Sequence, residues 1–121
     1  MSAQNVSKHA AMGYIDGTTS SFLLNRGFRS VTRTAGQAVG CYDLKADVNA
    51  GGNWAPSECM VVASSQATSD NPSPLATPPL LIDYRWRQDG DLTWYLQVRL
   101  INPDGGILAD GNFSMKIERI N

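Results

Sequence analysis

Several residue types on which enzymes and metal sites commonly depend are scarce in this chain. It has a single histidine, His9, and two cysteines, Cys41 and Cys59, among 121 residues. One histidine cannot form a multi-histidine metal site, and a histidine-based triad would have to use His9, which we expect to be a solvated tail residue. Two cysteines are too few for a disulfide scaffold. We favour two buried free thiols over one bridge, because no secretory context is visible. No cofactor is expected.

Charge and long apolar runs are also sparse. Charged residues make up 17% of the chain, and the formal net charge is -1. With no run of basic residues, a general attraction to nucleic acid or to anionic membranes is not expected. The apolar stretches are too short to span a bilayer, and residues 1–11 lack the basic and apolar regions of a secretory signal. From these absences we expect no nucleic-acid partner and no membrane insertion.

Helical periodicity is almost absent, and apolar residues instead alternate with polar ones, as in half-buried strands. The clearest run covers residues 92–100, where the apolar side chains are expected to point one way: Leu92, Trp94, Leu96, Val98 and Leu100. The preceding run repeats the pattern, and Asp89-Gly90 lies between the two. Because Asp-Gly between alternating strands is a strong turn signal, we predict a hairpin from Leu80 to Arg99.

About eight short strands are predicted in all, and residues 60–63 fit a central strand. The segments 47–58 and 64–79 are interpreted as long surface loops. This spacing favours an antiparallel β-sandwich of jelly-roll or immunoglobulin-like topology. The immunoglobulin option is less favoured, because the only tryptophan between the cysteines lies in a Gly/Pro-rich loop. We expect a flexible segment at residues 1–9 and one jelly-roll β-sandwich domain at 10–121.

Two sets of side chains are candidates for binding. The first set, Tyr95, Arg85, Arg87 and Arg99, is predicted on the outward face of the hairpin. Tyr and Arg are enriched at protein interfaces, which favours a subunit interface over a ligand patch. The second set, Trp54, Asn53 and Asp47, is assigned as a candidate ligand site, since an exposed loop tryptophan can anchor a ligand. The alternative for Trp54 is that it caps the end of the sandwich.

Carboxylates are plentiful, and a pair of them is sufficient for glycoside hydrolysis. Most of them lie at turns, where Asp is favoured by its own backbone hydrogen bonding, so a catalytic role is not favoured. The same turn chemistry explains Asp89-Gly90-Asp91 and Asp104-Gly105-Gly106 better than calcium binding does. We assign no catalytic or metal-ligating residue; the carboxylates considered are Asp43, Asp47, Asp83, Asp89, Asp91 and Asp104.

Five segments together resemble a known group of domains: residues 10–17, 27–33, 40–44, 60–63 and 110–117. They are similar to the jelly-roll heads of phage tail fibres and to the related tumour-necrosis-factor-like and complement-type trimeric domains. The resemblance covers nearly the whole chain, mostly at core positions. It implies a jelly-roll sandwich, a homotrimer, and a role in recognition or adhesion on a virion or an extracellular surface.

The expected function is therefore a non-enzymatic one. We expect a structural and receptor-binding viral protein, the trimeric head of a phage or surface fibre, with a host-surface glycan or protein as its ligand. The first alternative is a monomeric carbohydrate-binding, lectin-like module. The second alternative is a small glycoside hydrolase that uses paired carboxylates.

Overall fold

The chain folds as an antiparallel β-sandwich. The structure, a computed structural model, describes residues 7–47, 54–65 and 80–120. In this part of the chain a 3-10 helix, Pro56–Glu58, precedes the fifth of eight strands: β1 (Ser7–Asp16), β2 (Ser21–Arg26), β3 (Phe28–Arg33), β4 (Cys41–Ala46), β5 (Cys59–Ser65), β6 (Leu81–Gln88), β7 (Trp94–Ile101) and β8 (Asn112–Ile120). The prediction of an eight-stranded all-β sandwich is confirmed.

The strands form two four-stranded sheets. One has the order β2-β1-β8-β5 and is called the β1–β8 sheet; the other has the order β3-β4-β7-β6 and is called the β4–β7 sheet. The first strand lies beside the last in one sheet, and β4 lies beside β7 in the other. The four remaining strands are the edge strands: β2 and β5 in the first sheet, and β3 and β6 in the second. Because β1 begins at Ser7, which pairs with Ile120, the β-structure begins within the predicted flexible segment.

Alternate side chains fill the space between the sheets. On β7 the buried residues are Leu96, Val98 and Leu100, and on β8 they are Phe113, Met115 and Ile117, both as the alternation predicts. Ile15 of β1 lies opposite Phe113 in register. Burying such side chains is the main favourable contribution to folding, at about 1.5–3 kcal/mol each as an upper estimate.

Two sequence predictions about strand position are wrong. Leu92 does not join the inner row, because it lies in the five-residue loop between β6 and β7, with φ 69° and 71% of its surface exposed. The predicted hairpin itself is present as the antiparallel β6·β7 pair, in which Gln88 lies opposite Trp94. Segment 60–63 belongs to β5, which is an edge strand of its sheet and not a central one. Alternation identifies the buried face of a strand but not its neighbours.

Trp54 lies in the core rather than on an exposed loop. Its indole is 1% exposed and packs edge-on against Phe28 and Trp86, with ring centroids 5.5 and 6.0 Å away. Its N–H has no hydrogen-bond acceptor among the described residues. This placement removes the exposed surface that a ligand anchor requires and agrees with the alternative that Trp54 caps the sandwich.

A carboxylate network connects the loops at the end of the sandwich where β8 begins. Both oxygens of Asp110 accept hydrogen bonds from the Arg33 guanidinium at 2.8 Å, and Oδ1 also accepts the Gly40 N–H at 2.9 Å. The Tyr42 hydroxyl lies 2.7 Å from the same Oδ1 and 2.8 Å from the Gly17 carbonyl oxygen. The Arg33 guanidinium lowers the pKa of Asp110 to about 2, while burial and then Asp110 raise the pKa of Tyr42.

Gly17 is required by the same network. A Cβ at this position would collide with the Gly111 carbonyl oxygen and would lie 2.6 Å from the Tyr42 hydroxyl oxygen. Real Cβ atoms do not approach other atoms so closely, so the turn after β1 packs directly on the loop before β8. The network therefore fixes the end of the β1·β8 pair where Asp16 lies opposite Asn112, together with the start of β4.

Replacing Trp54 with alanine is expected to destabilise the domain by about 3–5 kcal/mol, because it leaves a cavity beside Phe28 and Trp86. The measurement is the free energy of unfolding from chemical denaturation. Ile107→Ala is the control, because Ile107 is an exposed apolar residue, and it should change stability by no more than about 0.5 kcal/mol. Equal, small effects of both substitutions would contradict the buried position of Trp54.

Asp110→Asn is expected to lower stability by about 2 kcal/mol near neutral pH, because the charge-assisted hydrogen bonds from Arg33 are lost. The folded pKa of Asp110 is about 2, below its unfolded value of about 3.9. Its contribution is therefore present above pH ~4 and is lost as the pH falls towards 2. Unfolding measured across this window should show a steeper loss in the wild type than in Asp110→Asn.

The matched control is Asp104→Asn, since Asp104 is an exposed turn residue. It should retain the acid sensitivity of the wild type. The interpretation of the network is wrong if Asp104→Asn and Asp110→Asn respond identically to acid.

Candidate binding faces

The outward surface of the β4–β7 sheet, called the polar face, carries the residues predicted as an interface. Arg85 and Arg87 on β6 lie opposite Gln97 and Tyr95 on β7, and Arg99 lies opposite Asp83. Successive side chains of a strand point to opposite sides of the sheet, so these residues share one face. The strand register therefore places four residues on one face, as the sequence predicted: Tyr95, Arg85, Arg87 and Arg99.

Most charges on the polar face are paired with their neighbours. Arg99 donates from Nε to Asp83 Oδ1 at 2.9 Å and from Nη2 to Asp83 Oδ2. The Arg85 Nε donates to Gln97 Oε1 at 2.8 Å, and the Gln97 amide donates to Asp43 at 3.3 Å. Asp43 also accepts the Thr34 hydroxyl at 2.7 Å. The face is thus a cross-strand polar network in which each of these side chains has a partner within the chain.

Tyr95 lies at the end of this network near the β6–β7 loop. The Lys45 ammonium is 5.4 Å from the centre of the Tyr95 ring and 3.2 Å from an oxygen of Asp89. Arg87 lies on the other side of Tyr95 in register. Tyr95 is half-buried among these cations, so it offers less free ring surface than the sequence pattern suggested.

A depression of about 230 Å³ opens on the polar face and is lined by Asp83, Tyr84, Arg85, Gln97 and Arg99. Hydrogen bonding to the Arg99 guanidinium lowers the pKa of Asp83, and the same pair raises the pKa of Arg99. Both side chains therefore stay ionised at neutral pH. The depression combines fixed guanidinium donors with a carboxylate and an amide acceptor.

The residues assigned as a ligand site from the sequence are not brought together as one exposed patch. Trp54 is buried in the core, and Asn53 lies outside the described residues. Asp47 is half-buried at the end of β4, and its backbone N–H donates to the Gly27 carbonyl at 3.0 Å. The interior position of Trp54 could not be read from a Gly- and Pro-rich stretch, because such composition indicates a loop but not which side chain enters the core.

The outward surface of the β1–β8 sheet, called the apolar face, was not identified from the sequence. Leu24 is 70% exposed, and Met60 and Val62 are each about half exposed. In register, Leu24 lies opposite Tyr14, and Lys116 lies between Met12 and Val62. The sequence did contain a signal for this face. Segment 60–63 is uninterrupted apolar sequence, and alternate residues of a strand must face outwards.

A shallow depression of about 630 Å³ lies on the apolar face. Met12, Tyr14, Leu24 and Val62 contribute to its lining, and Arg26 and Lys116 supply the positive charge there. Single exposed apolar residues are common, but a contiguous group of them marks an interaction surface. This face is the least polar surface among the described residues of the two sheets.

The cysteines and acidic groups provide no further centre. Cys41 and Cys59 are free thiols on different sheets, and burial raises the pKa of each. Among residues 7–47, 54–65 and 80–120, no group of three or more His, Cys, Asp or Glu side chains is placed to hold a metal ion. The same ranges contain no helix long and apolar enough to cross a bilayer.

Comparison with known proteins gave no matching family model and no significant match to a curated protein or to a solved structure.

Replacing Arg99 with glutamine is expected to raise the pKa of Asp83 towards its ordinary value, because the guanidinium is the main cause of the low value. The pKa of Asp91 is also low, but its main cause is hydrogen bonding from the Thr93 backbone N–H, so it should not change. Carbon-detected NMR titration of the carboxyl groups measures both. Parallel shifts of Asp83 and Asp91 would contradict the pairing.

Proposed function

We propose that this chain is a non-enzymatic assembly and recognition module: the homotrimeric, receptor-binding head of a phage tail fibre or a similar surface fibre. It acts on a virion or extracellular surface and recognises a host-surface ligand. The observation that carries this proposal is the apolar face of the β1–β8 sheet. The resemblance in sequence to trimeric jelly-roll heads supplies the number of copies.

The apolar face supports association with further copies of the same chain. Exposed Leu24, Met60 and Val62 lose contact with water when a partner covers them, and each Å² of apolar surface covered contributes about 25 cal/mol. Every copy carries the same face, so a closed ring of copies can cover all of them at once. A second copy is therefore the occupant to which we commit.

The polar face is a weaker candidate for assembly than the sequence pattern indicated. Its Asp83–Arg99 pair and its Arg85–Gln97 hydrogen bond are complete within one chain. Burying such groups in an interface would cost desolvation without supplying new partners. We therefore place assembly on the apolar face and leave the polar face open to ligands.

The two alternative functions gain less support. A lectin-like monomer that uses Trp54 lacks its anchor, since this indole is buried. A glycoside hydrolase needs two carboxylates free to exchange protons. Asp83 is paired with Arg99, Asp89 with Lys45, and Asp91 accepts the Thr93 N–H. These interactions favour structural roles for the three carboxylates.

Light scattering combined with size exclusion is expected to give the mass of a trimer for the wild-type chain. Leu24→Asp should give the mass of a monomer, because it places a charge within the apolar face. Its circular dichroism and thermal transition should show a folded domain, since Leu24 is largely exposed in the single chain.

Leu92→Asp is the control for this experiment. It also replaces an exposed leucine with aspartate, but Leu92 lies in the β6–β7 loop, away from the apolar face. The control should remain trimeric. A monomeric wild type would contradict the proposal, as would a trimer that tolerates Leu24→Asp.

A further inference from the structure

The depression on the polar face contains more guanidinium donors than its internal contacts use. The Nε of Arg85 donates a hydrogen bond to Gln97, whereas its two terminal nitrogens make no hydrogen bond or ion pair with another described residue. The Nε and Nη2 of Arg99 donate to Asp83, which leaves the N–H groups of Nη1 available to a ligand. Because one end of each guanidinium is held, the remaining N–H groups are oriented before any ligand arrives.

The local charge balance is positive. Arg85 and Arg99 contribute two cations and Asp83 contributes one anion to the lining. Beyond the lining, Arg87 follows on the same face of β6, and Asp43 lies opposite Gln97 on β4, so the balance stays positive. Arg85 and Arg99 are diagonal neighbours across the β6·β7 pair, and Asp83 is the single anion among the residues that line the depression. This arrangement attracts a negatively charged group.

Stability does not explain the arrangement. The side chains of Arg99 and Asp83 are about half exposed, and exposed ion pairs contribute about 0–1 kcal/mol. A solvated strand face needs polar residues, but not two arginines whose neighbours hold them in place. A binding role accounts for both the excess of cations and their fixed orientation.

We propose that this depression binds an acidic sugar, with the anionic group on the free N–H groups of Arg85 and Arg99. Arginine forks recognise planar oxyanions through paired hydrogen bonds. The Asp83 carboxylate and the Gln97 amide are acceptors and donors suited to ring hydroxyls. The volume of about 230 Å³ accommodates one sugar ring rather than an extended chain.

This inference rests on the proposed function, because it names the ligand class that the fibre head would recognise. The two outer faces of a sandwich point in opposite directions. Assembly through the apolar face therefore leaves the depression accessible in every copy. Several weak sites in one trimer would bind a glycan-coated surface far more tightly than one site alone.

The test is an NMR titration of the isotopically labelled full chain with three sugars that share one ring. Glucuronic acid carries a carboxylate, glucose 6-sulfate carries a sulfate, and glucose carries neither. At least one acidic sugar should shift the amide signals of β6 and β7, with a dissociation constant on the order of 1 mM. The acidic sugar that causes the shifts shows whether the site binds a carboxylate or a sulfate. Absence of shifts with both, or equal shifts with glucose, would overturn the proposal.

Arg85→Gln should weaken binding of the active sugar by at least about tenfold, since a charge-assisted hydrogen bond is lost. Arg29→Gln is the control, because Arg29 is an exposed arginine on β3 outside the depression. It should bind as the wild type does. Equal weakening in both variants would indicate a general charge effect and overturn the site.

Assembly and binding can fail separately in this design. The monomeric Leu24→Asp variant should still bind, because the depression lies within one chain. A wild-type trimer that binds no acidic sugar would contradict the proposed sugar site but not the proposed assembly. A wild-type monomer that binds an acidic sugar would contradict the proposed assembly but not the proposed sugar site.

Discussion

Each strand buries alternate side chains between the two sheets, and the remaining features of the molecule depend on that division. Leu96, Val98 and Leu100 from β7 meet Phe113, Met115 and Ile117 from β8 in one core. The inner rows are fully occupied by packing, so any binding must use the outer rows, the edges or the loops. The two outer rows differ in character, and this difference organises the function that we propose.

The Asp110 carboxylate makes the sandwich a single unit at one end. It receives hydrogen bonds from Arg33 at the end of β3, from the Gly40 N–H before β4 and from the Tyr42 side chain. These partners lie within ten residues of one another, but they precede Asp110 by 68 to 77 positions. A rigid end of this kind holds the β1–β8 and β4–β7 sheets in a fixed relation, so that their outer faces are presented as stable surfaces.

The sequence was sufficient to predict the sandwich and its inner rows, because alternation depends only on residues close in the chain. It did not predict the left-handed turn at Leu92, since the apolar pattern continued through a loop whose geometry depends on Asp89 and Thr93. The edge position of β5 and the burial of Trp54 depend on strand order and long-range packing. The pairing of Asp110 with Arg33 was not predicted either, because the two residues lie 77 positions apart in the chain.

The central claim is that the apolar face is covered by another copy while the polar face stays open. Oxidation of methionines by hydrogen peroxide, mapped by mass spectrometry at high and low protein concentration, tests this directly, because Met12 and Met60 lie on the apolar face and Met115 lies in the core. We predict that Met12 and Met60 react slowly in concentrated, assembled protein and rapidly on dilution, while Met115 reacts slowly in both. Rapid oxidation of Met12 and Met60 in the assembled protein would contradict the account.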